Sequence, residues 1–296
     1  MRFKGIYIPN VTPFTSKGEI NYDSLENLLE SWIKAGVSGL VVNASTGEAP
    51  YLNRDEMMQI ARFIVDKTDG RIDVISGTGA MGTRETMELT TDAKEAGVDA
   101  ALVVNPFFYR PSSDEIFQHF SKLLNTVDLP VILYNVPKFT GYSIKPEVVA
   151  RISEEHSNLV GIKDSSGNPG NMSEVIRLCG ERIDCLSGSA DMILPTLMLG
   201  GKGAIVAVAN VIPERCVNLY NAFIRGDMEE AGNYQIIASH VNDILVRRNP
   251  QIAAIKAALK QKGYDAGIPR KPLTPLNKEK EDEIKETLRE YYKPEG

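Results

Sequence analysis

The sequence predicts an α/β fold, a closed TIM-type (β/α)8 barrel followed by a C-terminal helical appendage. Three observations carry that expectation. Eight short apolar runs recur along the chain, amphipathic stretches separate them, and the residues just past the runs are evenly spaced. From Thr46 to Ser76 is 30 positions, the next three steps (to Asn105, Tyr134 and Lys163) are 29 each, and Lys163 to Gly188 is 25. A strand with its crossover helix fits that interval, and a parallel barrel uses about 250 residues as one domain. The 296 residues therefore read as a barrel over 1–210 with helices over 211–296. Two domains of about 150 residues each are not needed.

The runs are GIYIPNV (5–11), GLVVNA (39–44), IDVIS (72–76), DAALVVN (99–105), PVILYN (130–135), NLVGIK (158–163), IDCLSG (183–188) and GAIVAV (203–208). Their near-continuous hydrophobicity suits parallel strands covered on both faces. Amphipathic stretches such as 22–35, 54–67, 84–96 and 113–126 read as the crossover helices. Asn53, Thr83 and Ser113, the last with Glu115 in its first turn, are the expected N-caps. The repeated AGV at 35–37 and 96–98 puts glycine where a helix C-terminus needs φ > 0. A doubly wound open sheet is the alternative, but no GxGxxG turn follows the first run. Past residue 210, the segments 213–225, 228–247 and 252–262 read as helices. The Pro-rich GIPRKPLTPL (267–276) and a charged helix over 278–292 follow.

Composition narrows the function. Hydrophobic residues make up 43% and charged residues 24%, an ordinary globular balance. A net charge of −6 without a basic cluster argues against nucleic acid. No apolar run approaches the ~18 residues of a membrane span. The opening MRFKGIYIPNVTPF is broken by polar residues and proline where a signal peptide needs an apolar core. A cytoplasmic protein acting on small molecules is expected. Cys179, Cys185 and Cys216 lack metal-ligand spacing and read as core residues in a reducing compartment. His119, His156 and His240 are scattered, so no metal is expected. GTGAMG (77–82) reads as a strand-to-helix turn, KEKEDE (278–283) as a solvated helix face, and Trp32 as core.

Barrels of this kind place their chemistry at the C-terminal ends of the strands. Lys163 ends such a run. It either pairs with Asp164 or snorkels to solvent, or it serves as a nucleophile that forms a Schiff base. At a reference pKa near 10.4, fewer than about one lysine in a thousand is neutral at pH 7. Apolar surroundings lower that pKa to about 7–8 and free the amine to attack a ketone. Tyr134, one strand earlier, is either a proton carrier or a packing aromatic. Ser45, Thr46 and Gly47 follow the second run, where hydroxyls and loop amides suit a carboxylate or simply shape a turn that Glu48 supports.

STGEA (45–49), YNVP with TG (134–137 and 140–141), GIKDSSG (161–167) and LSG (186–188) occur in order. Together they closely resemble the dihydrodipicolinate synthase/N-acetylneuraminate lyase family of class I aldolases, from GIYIPNVTPF to GIPRKPLTPL. The resemblance implies a TIM barrel, assembled as a tetramer built from tight dimers, that takes a small 2-oxo acid and an aldehyde. Lys163 matches the imine-forming lysine, Tyr134 the proton-shuttling phenol, and Ser45 with Thr46 the carboxylate-binding pair. Thr46 also joins the proton relay. Gly47, Gly188 and Ile205 complete the expected substrate contacts. No cofactor is implied, because the protonated imine on Lys163 is itself the electron sink.

Two departures bear on the aldehyde. In the synthases an arginine follows YNVP by one residue and grips the carboxylate of aspartate semialdehyde. Phe139 stands there, preceded by Lys138, which offers a point charge rather than a guanidinium fork. The synthases also carry a relay tyrosine in PYYxRP. Here PFFYRP places Phe108 at that position and Tyr109 one residue later, so Tyr109 substitutes after a local shift, a water does, or the enzyme does without. These changes, TGYSI (140–144), the tail KGYDAGIPRKPLTPL, and an Asp191 placed either to bind hydroxyls or to cap a helix lean toward archaeal 2-keto-3-deoxygluconate aldolases. Cleavage of a 2-keto-3-deoxy sugar acid is the leading expectation. Dihydrodipicolinate synthase activity and a non-catalytic 2-oxo acid-binding barrel are the alternatives.

Overall fold

Each apolar run forms a strand because helices on one side and the barrel interior on the other cover both of its faces. The computed structural model describes residues 3–292. Residues 1–2 and 293–296, the outermost ends of the expected barrel and appendage, lie outside the described residues. The strands are β1 (Gly5–Ile8), β2 (Gly39–Val42), β3 (Asp73–Gly77), β4 (Ala100–Val104), β5 (Val131–Asn135), β6 (Leu159–Asp164), β7 (Asp184–Ser187) and β8 (Gly203–Ile205). They close in sequence order, β8 pairing with β1, and every pairing is parallel. Among the described residues no helix is long and apolar enough to cross a membrane.

The helices are α1 (Tyr22–Lys34), α2 (Arg54–Thr68), α3 (Thr83–Glu95), α4 (Ser113–Thr126), the short α5 (Pro137–Thr140), α6 (Pro146–Glu155), α7 (Pro169–Cys179), α8 (Ile193–Met198), α9 (Pro213–Arg225), α10 (Met228–Asn242), α11 (Gln251–Gln261) and α12 (Lys278–Leu288). Asn53 caps α2 in a reciprocal capping box with Glu56. Two other caps differ from expectation by one residue. Gly82, not Thr83, precedes α3, and Ser112, not Ser113, forms the box with Glu115 on α4. The expected helix over 228–247 breaks its register, because residues Asp243–Arg247 form a π-turn after α10. Gly36 and Gly97 take φ of 80° and 85° after their helices, as the AGV pattern requires.

Side chains alternate across each strand. The inward set, Tyr7, Val41, Ile75, Leu102, Ile132, Tyr134, Leu186 and Ile205, fills the barrel, and Phe3 is buried with it. The outward set packs against the helices with fully buried Leu25, Leu28, Ile60 and Phe120. Trp32 belongs to this layer and donates Nε1–H to Asn210 O at 3.1 Å. All three cysteines are free and buried. Two carboxylates lie inside the barrel: Asp73 accepts from the Tyr7 hydroxyl at 2.7 Å and Asp184 from the Phe3 amide at 2.9 Å. After β8, α9 packs on β1, α10 on α9, and α12 on α11.

Close approach of β3 to the β2 loop fixes one glycine. A Cβ on Gly77 would meet Asn43 O at 2.1 Å, an immovable backbone atom. Gly77→Ala is expected to destabilise by about 2–3 kcal/mol. Gly232→Ala, in open space on α10, should stabilise by about 0.5–1 kcal/mol. Urea midpoints of the two variants check both signs.

Candidate active site

Lys163 is the fifth residue of β6, in register with Tyr134 on β5 and Leu186 on β7. All three point inward near the C-terminal mouth. Lys163 is 3% exposed, and its Nζ lies 4.1 Å from the centroid of the Tyr134 ring. Burial holds its pKa below the ordinary lysine value, and the neighbouring Tyr134 hydroxyl opposes that only in part.

Pairing with Asp164, one of the sequence expectations for Lys163, does not occur. Asp164 points to the opposite face of β6. There it accepts from Asn135 Nδ2 at 2.9 Å, Ser166 N at 2.8 Å, Ser166 Oγ at 3.0 Å and Asn171 Nδ2 at 2.8 Å. Its lone pairs are occupied, and the amine is left without a counter-ion among the described ion pairs. Burial without a counter-ion shifts such an amine toward its neutral, nucleophilic form.

The turn after β2 faces the same mouth. Asn43 (φ 54°) and Glu48 (φ 63°) both take the left-handed conformation, and between them Ser45–Gly47 forms one 3-10 turn. Its opening amides have no intrahelical acceptor. The turn is tightly seated: a Cβ on Gly47 would lie 2.9 Å from Asn10 O, and Thr12 Oγ1 donates to Gly47 O at 2.7 Å. Thr46 is buried and Ser45 half-buried. Gly188 is equally constrained, since a Cβ there would meet Ser165 Oγ at 1.9 Å. Ile205 is fully buried in the inward set.

The remaining expected residues lie on the rim. Asp191 follows β7 in a 3-10 turn, its carboxylate held by Asn242 Nδ2 at 2.8 Å, Ser189 Oγ at 3.2 Å and the Arg247 guanidinium. It caps no helix. Lys138 and Phe139 are exposed on α5, with Lys138 Nζ 5.7 Å from the Phe139 ring. Tyr109 is 79% exposed and packs edge-to-face on Phe108. Neither ring touches Lys163 or Tyr134 among the described contacts. The histidines bond elsewhere, His119 to Thr83, His156 to Ser121 and His240 to Tyr291. Among the described residues no group of three His, Cys, Asp or Glu side chains is placed to hold a metal.

Sequence reasoning missed the residues that reach this mouth from α11 and the segment after it. Gln251 bonds Thr46, Lys256 bonds Glu48, and Arg270 bonds both Glu48 and Glu56. The available signal was a lone lysine inside the apolar IAAIKAAL of α11.

A buried amine beside a phenol, inside a barrel and next to a hydroxyl-rich turn, is the setting that a Schiff-base-forming carbon–carbon lyase uses. Residues 2–291 match the dihydrodipicolinate synthetase family, and the chain belongs to it. It is therefore a pyruvate-dependent aldolase of that family, whose members work through a lysine imine. The 4-hydroxy-tetrahydrodipicolinate synthase of Leptospira biflexa serovar Patoc is 38% identical over 277 residues, covering 93% of this chain and 92% of the relative. The crystal structure of dihydrodipicolinate synthase from Aquifex aeolicus is 34% identical, covers 98% of both chains and superposes with a TM-score of 0.93. YagE, an E. coli prophage protein of the same family solved in complex with pyruvate, is 33% identical over 98% of this chain and 99% of its own, with a TM-score of 0.94. None of these three names is that of a sugar-acid aldolase, so the leaning toward 2-keto-3-deoxygluconate aldolases finds no support among them.

The depressed Lys163 pKa has a consequence for stability. Between the folded value and the ordinary 10.5, only the unfolded chain holds the proton, so native stability rises with pH through that window. Lys163→Met removes the buried amine and its pH dependence. Urea midpoints should show the variant's advantage over wild type shrinking from about pH 7 to about pH 9.5. A constant advantage would contradict a buried neutral amine.

Proposed function

We propose that Lys163 attacks C2 of pyruvate, or of a pyruvate-derived 2-oxo acid, while Ser45, Thr46 and the amides of their turn hold its carboxylate. The carrying observation is the buried amine without a counter-ion, 4.1 Å from the Tyr134 ring. Tyr134 passes the protons that turn the C2 oxygen into departing water. In the cleavage direction a base takes the proton of the C4 hydroxyl and the C3–C4 bond breaks. The electron pair moves into the imine, giving an enamine and an aldehyde. Protonation at C3 and hydrolysis then release pyruvate and free Lys163. The imine itself accepts the electrons, so no metal or cofactor enters the scheme. Phe108 bears no exchangeable proton, and the relay to solvent runs through water or Tyr109.

For the aldehyde, the relatives' names favour the synthase reaction, condensation of pyruvate with aspartate semialdehyde. A specific observation favours the second reading, cleavage of a 2-keto-3-deoxy sugar acid. Phe139 offers no cation for a second carboxylate, and Asp191 with its partners places polar groups at the rim. Borohydride with pyruvate should add a reduced adduct at Lys163 and nowhere else. Absence of that adduct in folded protein would overturn the scheme. Tyr134→Phe should lower kcat by about 10²–10⁴. A panel of aldehydes run with pyruvate in both directions decides the substrate. Phe139→Arg should improve the use of aspartate semialdehyde only if the missing guanidinium limits it.

The same reading makes the enzyme a homo-oligomer, a tetramer built from dimers. Met81, Phe108 and Tyr109 are 56, 80 and 79% exposed on the loops after the adjacent strands β3 and β4, and Phe139 is 54% exposed on α5 just after β5. A second chain would cover that apolar rim. Sedimentation velocity should give a species larger than the 32.6 kDa chain, and a monomer at all concentrations would refute it.

A further inference from the structure

Glu48 ends the Ser45–Gly47 turn with its side chain fully buried. A carboxylate taken out of water is costly unless its lone pairs find donors. The donors come from the far end of the chain. Lys256 Nζ lies 2.6 Å from Oε1 and the Arg270 amide 2.7 Å from Oε2. Lys256, on α11 with its side chain 2% exposed, directs its other protons to Thr12 O at 2.7 Å and Ile268 O at 2.8 Å. Its three N–H donors are therefore all satisfied. Thr12 in turn bonds Gly47 O. Gln251, the first residue of the same helix, donates Nε2–H to Thr46 Oγ1 at 3.2 Å. One helix thus grips the turn at two places, Thr46 and Glu48.

We propose that Lys256 and Gln251 are positioning residues for 2-oxo acid binding, acting through Glu48 and Thr46, a role that rests on the turn holding the substrate carboxylate. Neither side chain touches substrate. The turn offers hydroxyls and amides but no cation, so its grip on an anion depends on donor placement to a few tenths of an ångström. A buried ion pair is a poor source of net stability, since well-packed apolar residues often replace it without loss. What it does supply here is a fixed distance between α11 and the turn. Gln251 adds a chemical function. By donating to one lone pair of Thr46 Oγ1, it turns the Thr46 O–H toward a different acceptor, such as the carboxylate.

The test separates carboxylate grip from imine chemistry. Wild type, Gln251→Ala, Lys256→Met and the double variant Glu48→Gln/Lys256→Met are each titrated with pyruvate and, separately, with acetone. The imine at Lys163 is trapped with borohydride and counted by intact mass, and melting temperature reports folding independently. The half-saturating pyruvate concentration should rise about fivefold in Gln251→Ala and about tenfold or more in Lys256→Met. That for acetone, which has no carboxylate, should be unchanged. If Lys256→Met does not fold, the double variant leaves no unpaired buried charge and carries the same expectation. Unchanged pyruvate saturation in the folded variants, or equal shifts for both ketones, overturns the proposal. If wild type traps neither ketone, it is the Schiff-base scheme that fails.

Discussion

The structure is organised around one constraint, a lysine amine kept inside the barrel without a partner charge. An isolated buried ammonium is costly, so burial pushes the group toward its neutral, nucleophilic form. That outcome requires the nearest carboxylate to be disarmed. A β-strand does this with one residue of offset, because Lys163 and Asp164 are neighbours in sequence yet project to opposite faces. Four hydrogen bonds from Asn135, Ser166 and Asn171 then tie Asp164 to the outer layer. Helical periodicity could not separate adjacent side chains so completely.

The molecule contains a second buried lysine, and the contrast is instructive. Lys163 and Lys256 are 3% and 2% exposed, but only Lys256 meets a carboxylate, together with two backbone carbonyls. Burial lowers the pKa of both. In Lys256 the attraction of Glu48 opposes that shift only in part, leaving the pKa at about 8, and in Lys163 the only opposing group is a phenol. What separates the two is access: all three N–H donors of Lys256 are engaged, whereas the Lys163 amine faces the barrel mouth without a counter-ion among the described ion pairs.

Much of the fold and the central pair of side chains could be read from the sequence, since both are local signals. Continuous apolar runs at a near-constant interval specify parallel strands, and a lysine or tyrosine ending such a run stands at the mouth. The errors have local causes too. Thr83 and Ser113 looked like caps because any Thr or Ser before an acidic turn does, and only backbone geometry selects Gly82 and Ser112. The contribution of α11 was not legible, because Gln251 and Lys256 lie more than 200 positions from the residues they hold. Sequence spacing carries no information about such pairings. The fate of Asp164 was equally hidden, since its donors Asn135 and Asn171 come from different β/α units.

The two ends of the substrate site are built differently, and this bears on how the chain diverges from its relatives. On the proposed scheme the pyruvate end consists of β-strand termini and a turn locked by Thr12, Glu48 and α11, where loss of one partner leaves a buried polar group unpaired. The aldehyde end consists of exposed loop side chains, which can change without such a penalty. Phe108 illustrates the point. It keeps a left-handed backbone (φ 79°), a conformation a non-glycine residue holds only when its surroundings impose it. Here the Tyr142 hydroxyl fastens the start of that loop by donating to Pro106 O at 2.6 Å. The loop is thus held in place by contacts other than the Phe108 side chain, which has no hydroxyl to offer. With a chain charge of −6, the global field does not favour an anionic substrate, so binding rests on placed donors. Those donors are concentrated at the rigid end, so on the proposed scheme recognition of the 2-oxo acid is a property of the fold and choice of aldehyde a property of the loops.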